Sequence, residues 1–248
     1  MPHNFMIYNG QTLSSTSDFQ TSKMTRSPLV WKNLASQFVS NKNVIFDLMN
    51  EPHDIPATTV FQMMQAGVNG VRSSGATSQL ILVEGTSWTG AWTWTSSGNA
   101  AAFAGLKDPN NNVAVQMHQY LDSDGSGTSP TCVSSTIGYE RLADATNWLK
   151  STGLKGFLGE MGAGSNPTCI TAVSGAICAM QQAAGVFNSS SELFLILPNP
   201  PPSYNPERFS GNLNRAAGPW WADYFQSIEP PNGAAISQIL PQALKPYL

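Results

Sequence analysis

Short apolar segments of strand length recur along this chain, each followed by a stretch of helical character, and this alternation limits the possible folds more than any other feature. Val44–Met49 (VIFDLM), Leu80–Glu84 (LILVE), Val113–Met117 (VAVQM) and Gly156–Gly159 read as strands. The segments Trp31–Val39, Pro56–Ser74, Ala100–Leu106, Tyr139–Ser151, Thr171–Ala184 and Gly233–Leu244 read as helices, with Pro56 suited to a first turn. Strands that alternate with helices form parallel β/α architecture. A length of 248 residues is near that of one α/β barrel. With no internal repeat and no flexible linker, residues 1–248 are expected to form a single domain.

Composition narrows the partners. Charged residues make up 11% of the chain, against roughly 25% in an average globular protein. Ser, Thr, Asn and Gln carry the polar side instead, which suits neutral, hydroxyl-rich ligands. A net charge of -3 provides no basic stripe for phosphates, so nucleic acid is excluded as a partner. The apolar run Leu193–Leu197 is too short to span a bilayer, so no membrane partner is expected. With 3 cysteines, at most one intrachain bridge can form. No CxxC pair occurs and no cysteine neighbours a histidine, so neither a metal nor another cofactor is expected. The start, MPHNFMIYNG, lacks the basic and apolar regions of a signal peptide.

The polar residues at the strand ends carry the chemistry. Asn50 and Glu51 follow the first apolar strand, with Pro52 stopping it. Glu160 follows another, with Gly162 and Gly164 opening the turn, while His118 and Tyr120 come just beyond VAVQM and Glu84 ends LILVE. In a parallel barrel the C-terminal strand ends share one face, so these residues are expected to converge there. A lone strand-end glutamate more often caps a helix or pairs with a surface lysine. Two of them, with Asn, His and Tyr at matching positions, favour catalysis. Glycosidic bond cleavage needs one carboxylic acid to protonate the departing oxygen, and a second carboxylate to attack the anomeric carbon or activate water.

The ordered set PHNFMIYNG, VIFDLMNEPHDI, LVEGTSWTGAWTWTSSGN, AVQMHQYLDSDGSGTSPTC, GFLGEMGAG and AAGPWWADYFQSIEPPNG resembles family 5 glycoside hydrolases, especially secreted fungal endo-β-1,4-glucanases. The resemblance implies a (β/α)8 TIM barrel and hydrolysis of β-1,4-glucan with retention, by double displacement. Glu51 would be the acid/base and Glu160 the nucleophile. Asn50 would bind the sugar 2-hydroxyl, and His118 the same subsite. Tyr120 would orient Glu160. The His3-Asn4 pair would contact the non-reducing side, and Trp88 would stack on a sugar. It further implies a secreted protein, a β-glucan partner, a monomeric state and a disulfide between Cys132 and Cys169, which leaves Cys178 unpaired. Of Trp88, Trp92 and Trp94, at least one is expected in the core, and His53 is expected to be structural. Asp122–Gly125 (DSDG) resembles a calcium loop only faintly, because Val133 stands where a bidentate Glu would be needed.

Departures from the family pattern temper these expectations. The chain opens at what resembles strand three, so the barrel reads as truncated, lacking its first two strands and an Arg that would support the nucleophile. Asn214 and Arg215 stand where the pattern has a strand-eight Trp. Segments 23–30 and 194–215 read as atypical inserts, and the four prolines between Pro198 and Pro202 cannot lie in a central strand. Unpaired strand edges predict poor solubility or dependence on another chain. The competing readings are a catalytically impaired carbohydrate-binding fragment and a sibling specificity, mannanase or xylanase.

Overall fold

The computed structural model describes residues 1–8, 10–12, 27–183, 186, 212–214, 225, 233, 237–244 and 246. They fall into two compact units, Met1–Met117 and His118–Leu248.

The first unit begins with a hairpin of β1 (Ile7–Tyr8) and β2 (Gln11–Thr12), paired antiparallel. Helix α1 (Ser27–Ser36), β3 (Phe46–Asp47), α2 (Ala57–Ser73), β4 (Ile81–Glu84) and α3 (Asn99–Phe103) follow, leading into β5 (Val113–Tyr120), within which the division into units falls. β3 pairs with β4 and β4 with β5, both in parallel. Every residue of β4 and β5 is buried, which explains why both read as apolar runs rather than alternating ones. Helix α2 buries Val60, Met63, Met64, Gly67, Val68 and Val71, a stripe at helical spacing. Gly70 lets α1 come close, because a Cβ there would lie 2.5 Å from the Pro28 carbonyl oxygen.

A buried ionic clasp ties the end of α2 to the approaches of β4 and β5. The Arg72 guanidinium forks onto Asp108, Nε to Oδ1 and Nη2 to Oδ2, each at 2.8 Å. Its remaining hydrogens go to the carbonyls of Ala76, Gln79 and Asn112. Burial opposes ionisation of Asp108, but Arg72 and the amides of Asn112 and Asn110 outweigh it and hold the carboxyl below its ordinary pKa.

In the second unit, the end of β5 leads to α4 (Ile137–Thr152), β6 (Gly156–Gly162) and α5 (Pro167–Gln182). β6 pairs in parallel with β7 (Asn212–Asn214), with an irregularity in register between Leu158 and Glu160. Helix α5 starts on Pro167, and the Asn166 side chain caps it by accepting from the Cys169 amide at 3.0 Å. The same cysteine is bonded to Cys132, so the disulfide implied by the resemblance is present, and Cys178 is free. Asp122 organises the DSDG loop through the amides of Gly127, Thr128 and Ser129, at 3.0 to 3.1 Å.

Several boundaries differ from the sequence expectation. β5 and β6 run three residues further than the apolar runs indicate, so His118, Tyr120 and Glu160 lie inside strands rather than after them. A strand end facing a polar site has no reason to stay apolar, which hides its last residues. β3 is shorter than Val44–Met49, and α1 begins at Ser27, inside the segment 23–30 that read as an interruption, because Pro28 is tolerated in a first turn. α5 begins at Pro167 rather than Thr171 for the same reason. The apolar run Leu193–Leu197 and the proline cluster lie outside the described residues. At the C-terminal end, a π-helical turn covers Leu240–Leu244. Among the described residues no helix is long and apolar enough to cross a membrane.

Candidate active site

In the first unit the site grows from the turn after β3. Asn50 is fully buried, its amide donates to the Pro2 carbonyl at 3.0 Å, and its side chain lies 3.5 Å from Glu51 Oε2. This main-chain bond draws the N-terminal residues to the NEP turn. Glu51 is 5% exposed and has φ +45°, in the left-handed region that non-glycine residues avoid. Such a conformation costs about 1–3 kcal/mol and persists only where neighbours enforce it.

Glu84 meets the Glu51 peptide directly. Its Oε2 accepts the Glu51 N–H at 2.7 Å, and its Oε1 accepts from Gln116 Nε2. Register explains the second contact, since β4 and β5 pair Glu84 directly with Gln116. Gln116 Nε2 also reaches Asp47 Oδ2 at 2.9 Å. Glu84 was expected near the site as a strand-end residue, though without a role; Asp47 and Gln116 were not singled out from the sequence. A charged residue within VIFDLM, and Gln116 in alternation with His118 and Tyr120, were the available signals.

An aromatic train runs beside the turn. His3 meets Phe5 edge-on, Phe5 tilts against His53, and His53 stacks on Trp88 with ring centroids 4.6 Å apart. The Trp88 main-chain amide donates to the Pro52 carbonyl at 3.1 Å, and Ser87, Trp88 and Thr89 all have positive φ, a tight turn in which Trp88 is 51% exposed. Trp92 is also exposed, whereas Trp94 is buried in the core against Phe103, as expected for one of the three. His53 lies under Trp88 and beside Asp54. Asn4 uses its side-chain amide on the Ile7 carbonyl, closing the turn that starts β1.

In the second unit the Tyr120 hydroxyl donates to Glu160 Oε2, and His118 Nδ1 lies 3.7 Å from the same oxygen. All three residues are at least nine-tenths buried. Tyr120 is fixed from two sides. Its carbonyl accepts from the Arg141 guanidinium, and Gly127, with φ +74°, packs so tightly on the ring that a Cβ would come within 2.5 Å of Cδ1. Loop and ring can meet this closely only through a glycine.

The family model for cellulases (glycosyl hydrolase family 5) matches residues 2–188. The chain belongs to this family. Among curated members, a probable endo-beta-1,4-glucanase B of Neosartorya fischeri is 46% identical over 248 residues, covering 100% of this chain and 65% of its own length. Endo-beta-1,4-glucanase B of Aspergillus niger is 45% identical, covering 100% of this chain and 64% of its own. This chain therefore spans slightly less than two thirds of these relatives. A solved structure of XacCel5A in complex with cellopentaose has a TM-score of 0.81 at 34% identity, covering 99% of this chain and 71% of that one. Cel5A (EG2) from Hypocrea jecorina has a TM-score of 0.74 at 27% identity, covering 96% and 67%. The parallel β/α pattern of this family 5 chain is thus that of a truncated (β/α)8 barrel, as the motifs implied.

Proposed function

We propose that this family 5 chain derives from, and retains the chemistry of, a secreted retaining endo-β-1,4-glucanase, with Glu160 as nucleophile and Glu51 as acid/base. The reading requires Glu51 of one unit and Glu160 of the other to act on one glycosidic bond, so that both units serve a single catalytic domain. The observation that carries it is the state of the two glutamates, each buried and each restrained, Glu51 through its main chain and Glu160 through Tyr120. Strand alternation lends support, because His118 and Tyr120 share one face of strand β5.

In the first step Glu160 attacks the anomeric carbon as the glycosidic C–O bond breaks, and Glu51 gives its proton to the departing oxygen. In the second, Glu51 removes a proton from water, the water oxygen attacks the same carbon, and Glu160 is released. The Tyr120 hydroxyl holds Glu160 Oε2 and leaves Oε1 to attack. Asn50 and His118 would hold the sugar at this subsite and His3 and Asn4 the next one. The half-exposed Trp88 offers a face on which a pyranose can pack. The β-1,4-glucan substrate rests on the endoglucanase names of the relatives and on the cellopentaose bound to XacCel5A. The Cys132–Cys169 disulfide supports secretion, because such bonds persist in oxidising compartments.

The test is inactivation by an activated 2-deoxy-2-fluoro-cellobioside followed by peptide mapping, beside hydrolysis assays on β-glucan, mannan and xylan. A covalent label on Glu160 and preferential cleavage of β-glucan are expected. A label on another residue, or retained glucan binding without any label, overturns the catalytic assignment. Preference for mannan or xylan overturns the substrate.

A further inference from the structure

We propose that Glu84 is a positioning residue for Glu51, its buried carboxylate holding the Glu51 peptide in the one backbone conformation from which the acid/base side chain works. The inference rests on the assignment of Glu51 as the acid/base and adds to it the group that sets its geometry.

Glu84 has no solvent exposure, and its position at the end of β4 is closed by β5. A carboxylate in such a place is unfavourable unless strong donors surround it, so a purely space-filling role would be better served by an apolar residue. What a carboxylate adds is a strong acceptor for a main-chain N–H. The 2.7 Å contact to the Glu51 amide has the length of a charge-assisted hydrogen bond. The amide it holds belongs to a residue at φ +45°, where an external restraint is needed most.

Glu84 is itself prevented from turning. Gln116 Nε2 directs its two hydrogens to two carboxylates, Glu84 Oε1 and Asp47 Oδ2. The Gln116 main-chain carbonyl accepts from the Thr89 hydroxyl at 2.6 Å, and Thr89 Oγ1 accepts from the Gly85 amide at 3.1 Å. The chain of contacts therefore runs from three neighbouring strands to one peptide group. Each link joins a donor to an acceptor, and substituting an amide for the Glu84 carboxylate breaks that order. Whichever way a glutamine at position 84 is turned, its amino group faces either the Glu51 N–H or Gln116 Nε2, and one bond is lost.

The experiment compares wild type with Glu84→Gln on two substrates and by amide-resolved hydrogen exchange. One substrate is β-1,4-glucan, whose leaving group must be protonated. The other is 2,4-dinitrophenyl β-cellobioside, followed in its first step, whose leaving group departs without an acid. Misplacement of the acid is expected to lower kcat on β-glucan by about tenfold to a hundredfold with little change in KM. Release of dinitrophenol should remain near wild type. The Glu51 amide should exchange about tenfold faster or more, with the core of β4 and β5 unchanged. Gln116→Met withdraws the orienting donor but keeps the carboxylate. It should show the same split at smaller size, and it serves if Glu84→Gln does not fold. Equal loss on both substrates, or unchanged exchange at Glu51, overturns the proposal. Glu51→Gln on the same substrates separates the two levels. If it shows no leaving-group dependence, the acid/base assignment fails. If it shows the dependence and Glu84→Gln does not, only the positioning role fails. The exchange arm requires no turnover.

Discussion

Tyr120 donates its hydroxyl to a carboxylate oxygen that also has His118 close by, while a glycine loop and an arginine hold its ring and carbonyl. A side chain held from so many directions contributes orientation. Tyr120→Phe keeps the ring and removes only the hydroxyl. Loss of a hydrogen bond to a charged group, about 1.5–3 kcal/mol, should lower kcat/KM roughly tenfold to a hundredfold, with the melting temperature almost unchanged. Steady-state kinetics beside a thermal melt checks this, and a large drop in melting temperature with proportionate loss of activity would make Tyr120 a packing residue. Residues of this kind stood out in the sequence because each is a polar residue just beyond an apolar run. Glu51, Glu160, His118 and Tyr120 announce themselves that way. The link from Glu84 to Gln116 did not, because a cross-strand pair depends on register, which the sequences of the two strands do not state.

Between residues and molecule stand the elements, and here the Arg72–Asp108 clasp is the most exposed to chemistry despite being buried. Neither side chain is more than 5% accessible. Asp108→Asn leaves the guanidinium buried without its counter-charge, which should cost about 3–5 kcal/mol near neutral pH. The pH dependence follows from the depressed pKa of Asp108. Its contribution is complete above the unfolded value of about 3.9 and is lost as pH falls through the lower folded value. Urea melts from pH 7 downward should show the gap between wild type and Asp108→Asn narrowing below about pH 4. A constant gap would mean that the carboxylate is not the source. Element existence was readable from periodicity, but element ends were not. Helices α1 and α5 each accept a proline in their first turn, and β5 and β6 turn polar before they stop.

At the scale of the molecule, the first unit presents an apolar surface beside its outer strand β3. Leu29, Val30, Leu34 and Phe38 are exposed on or just beyond α1, and a cavity of about 380 Å³ is lined by Met1, Pro2, Trp31, Leu34, Phe38 and β3. Surfaces of this kind promote association. The chain should therefore bind the dye ANS while folded, and Leu29→Glu with Leu34→Lys should reduce that binding and raise the soluble yield. Because both positions are exposed, stability should change by no more than about 0.5 kcal/mol each. Unaltered dye binding would place the sticky surface elsewhere. A different consequence follows from the pairing of Glu84 with Gln116. If β4 docked against β5 one residue out of step, Glu84 would turn to the opposite side of the sheet and the Glu51 peptide would lose its anchor. Such a misthreaded chain could still be compact and rich in strand, yet it would be silent as a catalyst. Activity per folded molecule is therefore a proofreading signal for strand alignment, one that circular dichroism cannot give.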